Sequence, residues 1–267
     1  MIARKIKNRL NALHYKTDIG QWSNGLESIH TANLNFLNAQ SSFIRENDMQ
    51  KAKYKYGIPD HYFTSDGNLI DLPINDEITY TDLICKFCRE TNQVNYLEIG
   101  VSVGKNMVQI MQHLKGAQIT GLDIEEIPSA VLEKLDPATV QQKNQITNAR
   151  VGNNEFSYIC GSVLEDSTWK SLEGRKYNIL LSDALHTPEA IWTEYLMMKK
   201  YQVIDPKEFV IFWDDLGGEM TDVFISIFKD MKKNGMAKKG QCAILSLNGW
   251  IGQHEKKHNI GIISNRI

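Results

Sequence analysis

Asp183 and His186 share the short segment Asp183-Ala-Leu-His-Thr-Pro-Glu189, and Asp214-Asp215 follow the apolar run Glu208-Phe-Val-Ile-Phe-Trp213. The segment before Asp183, Tyr177-Asn-Ile-Leu-Leu-Ser182, also reads as a buried strand, so all three acids are expected at the carboxyl edge of one sheet. Carboxylates gathered there repel one another, and their pKa values rise unless a cation or a positive side chain neutralises them. Oxygen-rich ligation suits a hard divalent ion such as Mg²⁺, which keeps some water and takes its remaining ligands from a substrate. Asp183, Asp214 and Asp215 are therefore candidate metal ligands, although any one of them could simply cap the helix or loop that follows. His186, with an ordinary pKa of about 6.5, can take a proton near neutral pH and is the candidate general base, with Asp183 as its catalytic neighbour. A polar loop contact is the plainer role for it.

A second group lies upstream. Tyr96-Leu-Glu-Ile-Gly-Val-Ser-Val-Gly-Lys-Asn106 reads as a short apolar strand that breaks into a glycine turn and opens a helix. Gly100 and Gly104 permit close backbone approaches that side chains forbid, and Met107, Val108, Ile110, Met111 and Leu114 continue at helical spacing. Gln118-Ile-Thr-Gly-Leu-Asp123 is a second strand ending in an acid. In an open α/β sheet, an acid at that tip accepts hydrogen bonds from the ribose hydroxyls of a cofactor lying over the first turn. The two segments predict a nucleotide-type cofactor site, against the alternative of a tight turn without a ligand. Ser102 occupies the middle position of the G-x-G-x-x-G fingerprint, which weighs against a nicotinamide dinucleotide.

The elements that must hold these residues follow in regular order from residue 95. After the first two strands comes a polar, mostly helical stretch over 125–150, then a strand at Phe156-Ser-Tyr-Ile-Cys160 leading into Gly161-Ser162. The strand ending before Asp183 is followed by a helix with Thr187 as N-cap and Pro188 at its first position. Beyond Asp215, Val223, Phe224, Ile227 and Phe228 share one face of a further helix, and two strands remain near Gln241–Ser246 and Ile260–Ser264. The polar segment between those two is too short for a parallel crossover, so they are expected to be antiparallel. The fold class is α/β: a seven-stranded, mostly parallel, doubly wound sheet with a terminal antiparallel hairpin.

Residues 1–90 lack this alternation and read as a helical and irregular appendage to a domain spanning 91–267. Within it, Ile2, Ile6, Leu10 and Leu13 recur at helical spacing among basic residues, as suits a docked amphipathic helix, a membrane surface, an organelle-targeting segment or a partner groove. Tyr54–Gly67 mixes aromatics with turn formers, as a substrate lid or an ordinary connection would. A homo-oligomer would form through this region. With 30 basic and 32 acidic residues and a net charge of −2, nothing favours nucleic acid or an anionic membrane as partner. The chain has neither a run long enough to span a membrane nor a secretory leader, which points to the cytoplasm. Its four cysteines are too scattered for a disulfide framework, and Cys85-Lys-Phe-Cys88 has no second pair to complete a zinc site, so a helix facing a core is expected there.

The hydrophobic-acid-hydrophobic-Gly-x-x-x-Gly turn followed by a strand-terminal Asp resembles the first motifs of class I S-adenosylmethionine-dependent methyltransferases. Asp183-x-x-His186-x-x-Glu189 with Asp214-Asp215 is similar to the metal-dependent O-methyltransferases that act on macrolide and aminocoumarin sugars, with relatives of the cephalosporin-biosynthesis and rhamnosyl type. The resemblance covers roughly 94–265, with Ser102 where a glycine is usual and Ser182-Asp-Ala in place of an acidic-glycine turn. It implies that Glu98, Gly100, Ser102 and Gly104 surround the methionine part of S-adenosylmethionine, that Asp123 holds the ribose, and that Ser162 lies near the adenine. It also implies Asp183, Asp214 and Asp215 as Mg²⁺ ligands, His186 as base, and a small hydroxylated acceptor such as a sugar or glycoside with adjacent oxygens. A metal-independent methyltransferase and a non-catalytic cofactor-binding protein of the same fold are the rival readings.

Overall fold

The structure is a computed structural model that describes residues 19–39, 65, 77–249 and 257–266. The amphipathic segment expected at Ile2–Leu13 lies outside the described residues, as does the aromatic segment 54–67 apart from Ser65. No described helix is long and apolar enough to cross a membrane.

One nine-stranded sheet organises the chain, in the order β3-β4-β5-β2-β1-β6-β7-β9-β8. Its strands are β1 (Asn95–Ile99), β2 (Gln118–Asp123), β3 (Gln141–Lys143), β4 (Ile146–Val151), β5 (Asn154–Cys160), β6 (Ile179–Ser182), β7 (Val210–Trp213), β8 (Cys242–Asn248) and β9 (Lys257–Ser264). From β5 through β7 the neighbours are parallel, whereas β9 runs antiparallel to β7 and β8 antiparallel to β9. These seven strands are the expected ones, closed by the expected terminal hairpin.

The other two correct the sequence reading. Within 125–150 the only helical pieces are α4 (Ser129–Leu132) and a 3-10 turn at Pro137–Thr139, after which β3 and β4 extend the sheet. Thr147 and Ala149 are buried while Asn148 and Arg150 are exposed, a period of two that polar composition hid. Asn144 and Gly152, both left-handed at φ 55° and 57°, form the tight reversals at either end of β4.

Helices cover both faces. The first face carries α1 (Leu26–Ala39), α2 (Tyr80–Arg89), α3 (Lys105–Met111) and α4, and the second carries α5 (Asp166–Lys170), α6 (Pro188–Lys200) and α7 (Gly218–Lys233). Because both faces are covered, the central strands are apolar throughout and alternate between two cores. Tyr96, Ile179, Leu181, Val210 and Phe212 pack on the first face; Leu97, Leu180, Ile211 and Trp213 pack on the second. Residues 80–88 of α2 are all buried, with Phe87 edge-on to Phe212 at 5.6 Å, so the described part of the chain before residue 91 is continuous with the core of the sheet. Cys85 and Cys88 are buried free thiols on that helix.

Candidate active site

The parity of the strands decides which side chains meet. Asp183, Asp214 and His258 continue the 179-181, 210-212 and 262-260 rows, so all three leave the sheet on its first face. Backbone bonds from Asp183 N to Ile99 O (2.8 Å) and from Asp214 N to Ser182 O (3.0 Å) continue the ladder past the strand ends and hold the two acids side by side. Gly100 permits this. A Cβ there would lie 2.2 Å from the Asp183 carbonyl oxygen, and its φ of 86° is one that side chains resist.

Five side chains converge at this edge. His186 Nε2 is 3.0 Å from Asp183 Oδ1, and its Nδ1 is 3.3 Å from Asp215 Oδ2. His258 Nδ1 is 3.0 Å from Asp214 Oδ1 and 3.0 Å from Asp215 Oδ1. Burial and the neighbouring Asp214 push the Asp183 carboxyl above the usual carboxylate range, although His186 draws it down. The bonds to Asp183 and Asp215 raise the His186 imidazole to about 10. Burial works against charge on His258, but Asp214 and Asp215 outweigh it and raise that ring to about 9. Asp215 is held well below the usual range by His186 and then His258. Among the described residues, two groupings have the spacing of a metal site, Asp183-His186-Asp214 and Asp214-Asp215-His258, with their ligand atoms within 4.8 Å of one another.

His258 escaped the sequence reading. Its signal was its place near the start of the last strand: an antiparallel neighbour of β7 brings its first residues to the carboxyl end of β7, where Asp214 stands. Tyr80 of α2 tilts against the His258 ring at 5.6 Å, and Lys105 Nζ lies 5.0 Å from the Tyr80 ring centre. Burial lowers the Lys105 ammonium below its usual value, while Asp183 and Asp214 work to raise it.

A cavity of about 350 Å³ adjoins this cluster, lined by Gly100, Ser102, Asp123, Ser162, Asp183 and His186 among others. The Ser102 N–H donates to Asp123 Oδ2 (2.7 Å) and the Glu125 N–H to Asp123 Oδ1 (3.0 Å), tying the glycine turn to the tip of β2. Gly104 and Glu98, also expected around the cofactor, have other neighbours. Gly104 starts α3 at φ 81°, and a Cβ on it would meet Val131 of α4 at 2.6 Å; it is not among the cavity's lining residues. Glu98 is buried on the first face, accepts from the Tyr96 hydroxyl (2.8 Å), and is likewise absent from the lining. The helix after His186 starts as expected, with the Ala190 N–H donating to the Thr187 hydroxyl oxygen and Pro188 in the first turn.

No protein-family model matches this chain, and no curated protein matches it in sequence. Solved structures do. The O-methyltransferase TomG from Streptomyces achromogenes, involved in tomaymycin synthesis and solved with SAM, is 11% identical over 85% of this chain and 94% of its own, with a TM-score of 0.45. The N-methyltransferase NodS from Bradyrhizobium japonicum WM9, in complex with S-adenosylhomocysteine, is 11% identical over 70% of this chain and 86% of its own, at 0.42. The magnesium protoporphyrin IX methyltransferase ChlM from Synechocystis PCC 6803, with bound SAM, is 13% identical over 69% and 77%, at 0.43. So distant a likeness assigns no activity to this chain.

Proposed function

We propose that this chain is an S-adenosylmethionine-dependent O-methyltransferase of the cytoplasm, with Mg²⁺ at its acid cluster and a small acceptor bearing adjacent oxygens, such as a sugar or glycoside. One observation carries the reading. Gly100, Ser102, Asp123 and Ser162 line the same cavity as Asp183 and His186, so a cofactor held by the first group would lie against the second. The donor set fits the cation: Asp183 and Asp214 meet at a partly shielded edge where burial and mutual repulsion raise Asp183, and a divalent ion relieves both.

When bound, S-adenosylmethionine would supply a methyl made electrophilic by its sulfonium, and the cation would supply the Lewis acidity that lowers an acceptor hydroxyl's pKa. The chain's own residues do the rest. Asp123 has lone pairs left for ribose hydroxyls after accepting from Ser102 and Glu125, Asp183, Asp214 and Asp215 would hold the cation, and His186, which its carboxylate partners hold at about 10 without a cation, would take the acceptor's proton at the cavity wall once a cation draws those carboxylates away from the ring. A metal-independent reading has its own support, because the two imidazoles already partner all three acids.

Calorimetry is the first test: S-adenosylhomocysteine should bind and NADH should not. Asp123→Ala should weaken that binding by about 1.5–3 kcal/mol, the range for hydrogen bonds to a charged group. Labelled methyl transfer from S-adenosylmethionine to a panel of glycosides with vicinal hydroxyls should then stop with chelator and return with Mg²⁺. Transfer undiminished in chelator would establish the metal-independent reading, and failure to bind S-adenosylhomocysteine would remove the methyltransferase one.

A further inference from the structure

We infer that the chain carries a second small-molecule site, at the edge of the sheet opposite the acid cluster, that takes a small polyhydroxylated molecule bearing one phosphate. A cavity of about 530 Å³ opens on the second face where β2 and β5 begin. Strand parity gives it its character. Gln118 and Thr120 of β2 share the row of Leu122, Glu155 and Ser157 of β5 share the row of Ile159, and Asn148 of β4 shares the row of Ile146, so all five point to the second face. On the first face the same strands present Ile119, Phe156 and Ala149, none more than 8% exposed. β2 and β5 are interior strands, where apolar residues are expected on both faces. Here the second face turns polar instead: α5 is only five residues long, and Gln118, Asn148 and Glu155 remain exposed.

The polar groups are of two kinds and stand apart. Arg175 and Lys176 form the wall beside the start of β1, where the Asn178 N–H donates to Asn95 O at 3.0 Å. Burial raises the Tyr177 phenol, while the Thr120 hydroxyl and then the Arg175 guanidinium draw it down, so Arg175 lies over the same face as Thr120. The Tyr177 hydroxyl donates to Thr120 Oγ1 at 3.0 Å, which leaves the Thr120 hydrogen to be given to a ligand. Lys176 Nζ donates to the Gln202 carbonyl and keeps two further hydrogens. At the other end stand Glu155 and the Asn148-Ser157 pair, in which the Ser157 hydroxyl donates to Asn148 Oδ1 (2.8 Å) and so turns the amide nitrogen outward. β1 and β5 flank β2, which sets the two ends about 10 Å apart, twice the strand spacing. A guanidinium beside an ammonium matches phosphate oxygens, whereas a carboxylate, an amide and hydroxyls match the hydroxyls of a sugar. Glu155 repels a second anionic group at its end, and the described lining has no aromatic ring on which a base could stack. A sugar phosphate satisfies each of these conditions.

Calorimetry on the full chain tests this with glucose 6-phosphate as the probe, beside glucose and inorganic phosphate separately. Glucose 6-phosphate should bind one to one and at least about 10-fold more tightly than either part alone, and Arg175→Ala should weaken it by about 10- to 100-fold, as loss of hydrogen bonds to a charged group does. In ¹H–¹⁵N spectra of the wild type, its addition should shift amides at 118–120, 155–157 and 174–176 and leave those at 183–187 in place. Absence of binding at about 10 mM, below even millimolar affinity, would overturn the inference. Binding no tighter than that of inorganic phosphate would reduce the corner to a patch for anions, and would overturn it too. Shifts concentrated at 100–104 and 183–187 would put the sugar phosphate in the cavity beside His186 instead, a result that needs no variant to fold. Because the two cavities lie at opposite edges of the sheet, binding of S-adenosylhomocysteine neither supports nor weakens this site.

Discussion

Glu98 shows how a side chain's place can be legible in the sequence while its surroundings are not. Its place before the glycine turn is plain, and the resemblance implies a role at the cofactor. The strand's alternation sends it to the first face with Tyr96, where it is 1% exposed and its Oε1 has no hydrogen-bond partner among the described residues. Burial first, and Asp183 further down, push its carboxyl up to about 8 even though the Tyr96 hydroxyl stabilises the charge. The folded state thus binds this proton more tightly than the unfolded chain, whose Glu titrates near 4.5. The stability gained by keeping it is fully present below about 4.5 and is lost as pH rises through about 8. Glu98→Gln removes the loss, so its stability relative to wild type should climb between pH 5 and pH 8, by roughly 2–5 kcal/mol at about 1.4 kcal/mol per pKa unit. Urea unfolding across that range checks it. A difference between the two proteins that stays flat with pH would place Glu98 in the ordinary carboxylate range.

At the scale of elements, strands and caps that follow from local chemistry were readable, whereas partners distant in sequence were not. Thr187-Pro188 announces α6 because an N-cap hydroxyl and a first-turn proline are local signals. The β3-β4 hairpin was hidden because its exposed edge needs few apolar residues, which left Thr147 and Ala149 to carry the pattern. His258 was hidden because its role depends on strand order, a property of the whole sheet. The packing of α1 on α2 depends on a similarly nonlocal group. Asp82 is 1% exposed and accepts from the Thr79 backbone and hydroxyl, from Asn33 Nδ2 (2.7 Å) and from His30 Nδ1 (2.8 Å). Asp82→Ala strips one acceptor from several buried donors and removes the capping box of α2, so it should cost about 3 kcal/mol or more. Hydrogen exchange should rise first in Leu26–Ala39, since α1 is joined to α2 through this carboxylate. Unchanged exchange there would mean that Trp22, Leu26 and Ile29 hold α1 without it.

Across the whole molecule, the chain spends its order at the sheet's centre and places its chemistry at one edge. β1 and β6 are interior strands, buried on both faces, and their carboxyl ends deliver Gly100 and Asp183 to the same point. β3, in contrast, is an exposed edge strand of Gln141-Gln142-Lys143 far from that point in the strand order. Any ligand that binds only the folded state adds stability, about 2.7 kcal/mol at one hundred times its dissociation constant. That gain is distributed according to what must be intact for binding. Amides in β1, β2 and β6 exchange only through large-scale opening, so saturating S-adenosylhomocysteine should slow them by about 100-fold, the factor set by that occupancy. Amides in β3 exchange through local fraying that leaves the cavity formed, so the ligand should barely alter them. The turn at 100–104 and the loop at 183–187 should gain protection beyond either, because the ligand would cover them directly. Protection gained equally in β3 and in the 183–187 loop would mean that the ligand stabilises the fold from somewhere other than the cavity between Asp123 and His186.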